Sequence, residues 1–320
     1  MLRLWLDRDD LARVRVAPTL HRAATVTLVC QALRGPAGAA LPDLARRATA
    51  GSARFEPLHH LVQPRGFVPD FLTPLEGLES LDAGLQAIRS AGPRRVRADV
   101  AAAYTHVPVS GMRRRFADAD PEVLDALVAA VRHYFETVLA ASWPALLQIH
   151  RHLVDDVARR FAMSGVDGVL AALPAGLRWR SPVLEADAWT TGPSRDVRLD
   201  GRGVILVPSV FAGPRPRVLV EPGRPALVVY QAGSAAAFAA APAGDHGVER
   251  LIGRTRAAVL RAVVRPGRHT TSTIARDTGI SVPSSSEHLS ALRSAGLVTS
   301  RRDGGAVVHA ATPLGTALAG

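Results

Sequence analysis

The sequence predicts an α+β protein in two domains, a larger one joining helices to a small sheet and a smaller one of short helices and a β-hairpin. Three observations predict it. Apolar residues recur at three- and four-residue spacing up to about residue 174, and β-branched runs punctuated by Gly and Pro replace them over 177–231. A stretch rich in Ala, Gly and Pro at 232–247 then separates both from a second set of helical periods. The 320 residues, 48% of them hydrophobic, suffice for two cores at about 150 residues per domain. The domains expected are therefore 1–245, with 232–247 as its linker, and 248–320.

In the larger domain, alternation over residues 2–6 predicts a strand, followed by a short helix near 10–14 and a longer one near 25–33 that Gly35 and Pro36 end. Loops are expected next, with a segment rich in proline and aromatics at 57–74, before helical spacing resumes at 75–90. Asp120 and Pro121 open the clearest helix, a capping acceptor followed by a proline suited to the first turn. Leu124, Leu127, Val128, Val131, Phe135, Val138 and Leu139 line one of its faces, Trp143 and Pro144 break it, and Leu146, Ile149, Leu153 and Val157 continue a second amphipathic helix. Four apolar runs, 197–199, 204–207, 218–220 and 226–230, then predict a small antiparallel sheet.

Composition narrows the class. No apolar run approaches the roughly 20 residues of a membrane-spanning helix, and the start, Met1 to Asp7, turns acidic too soon for a signal peptide, so the cytoplasm is the expected location. Cys30, the single cysteine, sits in an apolar run and is expected in the core. The net charge of +11 favours polyanionic partners, and every basic residue is arginine. Its distribution is uneven: residues 246–320 hold ten arginines and four acids, or +6, against +5 for the other 245 residues.

The C-terminal elements follow in order. Val248, Leu251, Ile252, Thr255, Val259, Ala262 and Val263 share one face of a helix closed by Pro266 and Gly267. A second, short helix begins among the threonines at 270–273 and ends at Gly279. A third begins at once, with Ser281 as cap, Pro283 in its first turn and Leu289 and Leu292 facing inward. Two short helices joined by a tight glycine turn form a helix-turn-helix, whose second member enters the major groove of DNA. Residues 299–309, two alternating runs around Gly304 and Gly305 with Arg301 and Arg302 near the tip, complete it with a basic hairpin, or wing.

Gly279-Ile280-Ser281, Ser286-Glu287-His288-Leu289, Leu292-Arg293-Ser294-Ala295-Gly296-Leu297-Val298 and Arg301-Arg302-Asp303-Gly304 together resemble the winged helix of ArsR-type repressors over about 70 residues. The resemblance implies a cytoplasmic homodimer that reads a palindromic double-stranded operator and is released by a small-molecule or protein effector. It assigns Ser284, Ser286, Glu287 and His288 to the groove, Ser281 to the start of the recognition helix, and Arg293, Arg301 and Arg302 to phosphates. Three departures qualify it: no cysteine lies in 271–278, so a thiolate metal sensor is not expected; Val282 stands where a polar contact is common; Ser285 stands where an apolar one is. Residues 64–74 and 199–209 resemble an uncharacterised domain that precedes ArsR-type winged helices in long actinobacterial regulators, which implies a sensing and dimerising role for 1–245.

Other chemistry finds less support. His59 and His60, or His150 and His152 with Asp155 and Asp156, lack a third ligand at fixed spacing, and a solvated helix surface is the expected setting of the latter group. No phosphate-binding glycine loop and no nucleophile elbow occur, so no enzyme activity and no cofactor are expected. Two alternatives stay open: an enzymatic N-terminal domain docked on nucleic acid by the tail, and a winged helix that binds protein.

Overall fold

The computed structural model describes residues 1–103, 111–188, 194–235, 238, 246–265 and 267–319. The architecture is α+β, in two units, Met1–Ala241 and Pro242–Gly320.

The described residues of the first unit form two sheets. Strand β1 (Leu2–Trp5) lies inside the order β3-β4-β1-β5, antiparallel to β4 (Val183–Ala186) and parallel to β5 (Arg195–Arg198), with β3 (Leu177–Arg180) at the edge. The second sheet has the order β2-β6-β8-β7, from β2 (Arg15–Val16), β6 (Val204–Ser209), β7 (Arg217–Leu219) and β8 (Ala226–Gln231). This corrects the single antiparallel sheet that the sequence predicts. The pairs β2/β6 and β6/β8 are parallel, and every residue of β6 is buried. Unbroken apolar runs such as 204–207 mark strands covered on both faces, the usual setting of parallel pairing, rather than a half-solvated hairpin.

Helices among the described residues of this unit carry the rest of its core: α1 (Arg8–Ala12), α2 (Arg22–Arg34), α3 (Pro42–Ala50), α4 (Glu56–Leu61), α5 (Leu81–Arg89), α6 (Pro93–Ala103), α7 (Gly111–Ala117), α8 (Pro121–Tyr134) and α9 (Trp143–Ala171). Asp120 caps α8, accepting the Glu122 amide at 2.9 Å, and Pro121 follows. The break comes earlier than the expected Trp143 and Pro144: a π-helical turn (Phe135–Leu139) and a 3-10 turn (Ala140–Ser142) form it, and Trp143 and Pro144 open α9. Helices α3, α6 and α7 occupy stretches without a full apolar stripe, each burying only one or two side chains: Leu44, Val96 with Val100, and Phe116.

One apolar cluster gathers α2, α4, α5 and α8 around Phe55, Phe71, Leu127 and Tyr134; a second lies among the sheets around Leu4, Leu184, Val204 and Val228. Cys30 is buried in the first, and burial pushes its thiol up to about 12. His150 departs from the solvated surface expected of it: it is buried, with Nε2 3.0 Å from the Ala17 carbonyl and Nδ1 3.3 Å from that of Pro208. Most of the 232–247 stretch lies outside the described residues, but Phe238 packs edge-on against Phe211.

The second unit runs α10 (His246–Ile252), α11 (Arg254–Val264), β9 (His269–Thr270), α12 (Thr271–Thr278), α13 (Val282–Ser294), β10 (Val298–Asp303), β11 (Ala306–Ala311) and α14 (Pro313–Ala319). The one helix expected over 248–263 is two, because Gly253 at φ 84° interrupts it, and Leu251 consequently stays 72% exposed. Val259, Leu260, Val263, Ile274, Leu289, Leu292, Leu297 and Val298 form the core. The sheet order β10-β11-β9 joins the hairpin to the short strand ahead of α12. No helix among the described residues is long and apolar enough to cross a membrane.

Candidate nucleic-acid interface

Two capped helices set the geometry. The Thr270 hydroxyl accepts the Thr273 amide at 3.2 Å and the Thr273 hydroxyl accepts the Thr270 amide at 2.8 Å, a reciprocal pair that satisfies donors the first turn of α12 leaves open. At the other end Gly279 takes φ 68° and ψ 26°, and the Ile280 amide returns to the Ala275 carbonyl at 3.0 Å. That left-handed residue reverses the chain in a space where a side chain would strain the backbone. Ser281 then caps α13, accepting the Ser284 amide at 3.2 Å, with Pro283 in the first turn.

Helix α13 buries Ser285, Leu289 and Leu292. The Ser285 hydroxyl donates to the Thr271 carbonyl at 3.2 Å, so its burial is satisfied and fixes α13 against the start of α12. Val282, Ser286, Glu287, Ser290 and Arg293 face outward and are exposed. Ser286, Ser290 and Arg293 succeed one another at spacings of four and three and form one stripe, with Glu287 about 100° round the helix. Ser284 and His288 lie elsewhere. They are half-buried, with the Ser284 hydroxyl 3.4 Å from His288 Nε2, and His288 stands about 160° from Ser286. The structure thus brings Ser286, Glu287 and Arg293 together and leaves Ser284 and His288 on a flank. Ser290 is not among the residues the sequence resemblance assigns, although its place one turn beyond Ser286 is a sufficient signal for the same face.

In the wing, β10 and β11 pair from Val298 opposite Ala311 to Asp303 opposite Ala306, and Gly304 turns at φ 62°. Arg301 stands opposite Val308 and Arg302 opposite Val307. Neighbours on a strand point to opposite faces, so the two guanidinium groups straddle the ribbon. Both are exposed, and neither pairs with a carboxylate among the described residues. Asp303, the one acid of the tip, is engaged by Arg268 at 3.1 Å, which leaves the positive charge of Arg301 and Arg302 uncompensated.

His309 joins the wing to the helices. Its Nδ1 is 2.8 Å from the Ser300 hydroxyl and its Nε2 3.0 Å from that of Thr271, so one side chain ties β10, β11 and α12 together. Burial, then the nearby Arg293 guanidinium, holds the imidazole below its ordinary range, which keeps it neutral and able to serve one neighbour as donor and the other as acceptor. A polar residue in an alternating strand carries no signal of this kind. No group of three or more His, Cys, Asp or Glu able to hold a metal occurs among the described residues.

Residues 252–301 match a family model described as a helix-turn-helix domain. The match begins at the last residue of α10, spans α11, α12 and α13 entire, and ends within β10. No curated protein and no solved structure matches the chain. The second unit carries a helix-turn-helix domain, the fold with which many regulators hold DNA, and β10 and β11 add a wing to it.

Proposed function

We propose that this chain is a sequence-specific regulator of transcription that binds double-stranded DNA through α13 and the β10–β11 wing. The observation that carries this reading is the alignment, on one capped and well-supported helix, of an exposed Ser286–Ser290–Arg293 stripe beside a wing with two uncompensated arginines. The serines and Glu287 read base edges, serine by hydroxyl and Glu287 by accepting from a cytosine amino group. Arg293, Arg301 and Arg302 bind phosphates, and Ser281 and Ser284 lie at the end of α13 that enters the groove. Val282, 48% exposed at that end, suits a thymine methyl. The ArsR-type resemblance supports a cytoplasmic homodimeric repressor on a palindromic operator, with residues 1–245 as the sensing and dimerising part, no catalytic role and no cofactor.

Arg301→Ala combined with Arg302→Ala tests the wing. Fluorescence anisotropy on a specific and a random duplex should find weaker binding to both, and the slope of log affinity against log salt should flatten by about two per protomer if each arginine neutralises one phosphate. An unchanged slope refutes a phosphate role for the wing.

A further inference from the structure

A cleft at the carboxyl end of β1, in the first unit, plays no part in the DNA-binding reading. Trp5, the last residue of β1, pairs with Val183 of β4 and Arg198 of β5, and directly opposed residues share a face of the sheet. That face is turned from the core, because Leu4 beside it points the other way and is fully buried. The chain then leaves the sheet through Leu6, whose amide donates to the Pro182 carbonyl at 2.9 Å, and enters α1 behind the Asp7 cap. Helix α1, the turn at Pro182 and the end of β5 enclose a space of about 410 Å³, open to solvent. The volume falls in the range of small-ligand sites.

Trp5, Leu11 and Pro182 give the cleft apolar surface, and its charged groups fall into two kinds. Each carboxylate already accepts a hydrogen bond: Asp7 Oδ1 takes the Asp10 amide at 2.8 Å, Asp10 takes the Asp7 and Gly203 amides at 3.0 and 2.9 Å, and Asp200 takes Arg202 at 3.3 Å. The side chains of Arg8 and Arg198 are exposed, and neither guanidinium donates a hydrogen bond or joins an ion pair among the described residues. Counting Arg202, three guanidinium groups balance three carboxylates, so selectivity here comes from unspent donors and not from a net field. Arg198 also lies over the Trp5 ring, 5.7 Å from its centre, which orients the guanidinium and leaves its N–H edge free. Such a planar fork matches a carboxylate through two parallel hydrogen bonds.

We propose that this cleft binds an aromatic carboxylate, its carboxylate held by Arg198 and Arg8 and its ring lying against Trp5, Leu11 and Pro182. The site deepens the reading of residues 1–245 as the sensing part, and rests on that reading for its regulatory meaning though not for its binding chemistry. An uncharged amide of the same shape loses the charge-assisted pair, and an ammonium group in place of the carboxylate meets two guanidinium groups of its own sign.

Titration of the full chain with naphthoate, followed through the indole N–H resonances of its tryptophans by nuclear magnetic resonance, tests this. Trp5→Phe assigns the Trp5 resonance by its loss. That resonance should shift and saturate with naphthoate, the remaining spectrum marking a folded chain. Calorimetry should find naphthamide and naphthylmethylamine bound at least about tenfold more weakly, and Arg198→Gln and Arg8→Gln should each weaken naphthoate about tenfold. No saturable shift at Trp5 in folded wild-type chain, equal binding of the amide, preference for the amine or for naphthyl phosphate, or undiminished affinity in both arginine variants overturns the proposal. DNA binding by the same preparation, measured alongside, separates failure of this site from failure of the DNA-binding reading.

Discussion

At the scale of single residues, the chain spends polar burial where position matters. Ser285 and His309 are buried and bonded, the first tying α13 and the second the β10–β11 hairpin to α12. Asp70 is the opposite case, a half-buried carboxyl that burial and the neighbouring Asp99 charge hold above its ordinary range despite Arg95 and Arg217 nearby. Its folded pKa of about 7 lies above the ordinary 3.8, so its contribution to stability is full below 3.8 and is lost as pH rises through 7. Asp70→Asn should therefore raise the melting temperature of the first unit at pH 8, and the gain should vanish near pH 4. All four tryptophans, at 5, 143, 179 and 189, belong to that unit, so tryptophan fluorescence follows its unfolding alone. A lower melting temperature at pH 8 would show that Asp70 has a stabilising partner. The burial of this carboxyl was not legible in the sequence, because nothing in a Pro-Asp-Phe step tells a solvated acid from a half-buried one.

At the scale of elements, legibility followed periodicity and capping. Helices α8, α12 and α13 carry a cap, a proline or a glycine at the right offset, and their starts could be read directly. Helix α14 could not, because it depends on tertiary contacts, and the division at Gly253 could not, because a lone glycine inside a helical period does not announce a left-handed backbone. Gly315 of α14 lies so close to the start of β10 that a Cβ there would come within 1.9 Å of the Leu297 carbonyl oxygen. Gly315→Ala should destabilise the second unit by about 2 kcal/mol, as an overpacked contact with immovable backbone does. Gly279→Ala meets no neighbour within 4 Å and should cost about 1 kcal/mol from its left-handed backbone alone. Hydrogen exchange of α12 and α13 amides measures both, and equal costs would remove the packing role assigned to Gly315. The exposed face of α13 was half legible for the same reason: the sequence identifies the helix, but the face comes from what Ser285, Leu289 and Leu292 bury.

At the scale of the whole molecule, the α+β class was readable from the switch between helical and β-branched patterns, whereas the parallel pairing was not. Strands β1 and β2 come from the first 16 residues and complete sheets formed some 190 residues later, a long-range choice that no local pattern encodes. The excess of positive charge in residues 246–320 agrees with a DNA-binding tail on a nearly balanced body. The most direct test is selection of binding sites from random duplex DNA by the purified full-length chain at near-physiological salt. The account predicts enrichment of a palindrome with half-sites about one helical turn apart, the spacing of two recognition helices in a dimer. Enrichment of no sequence by folded protein would contradict sequence-specific DNA binding.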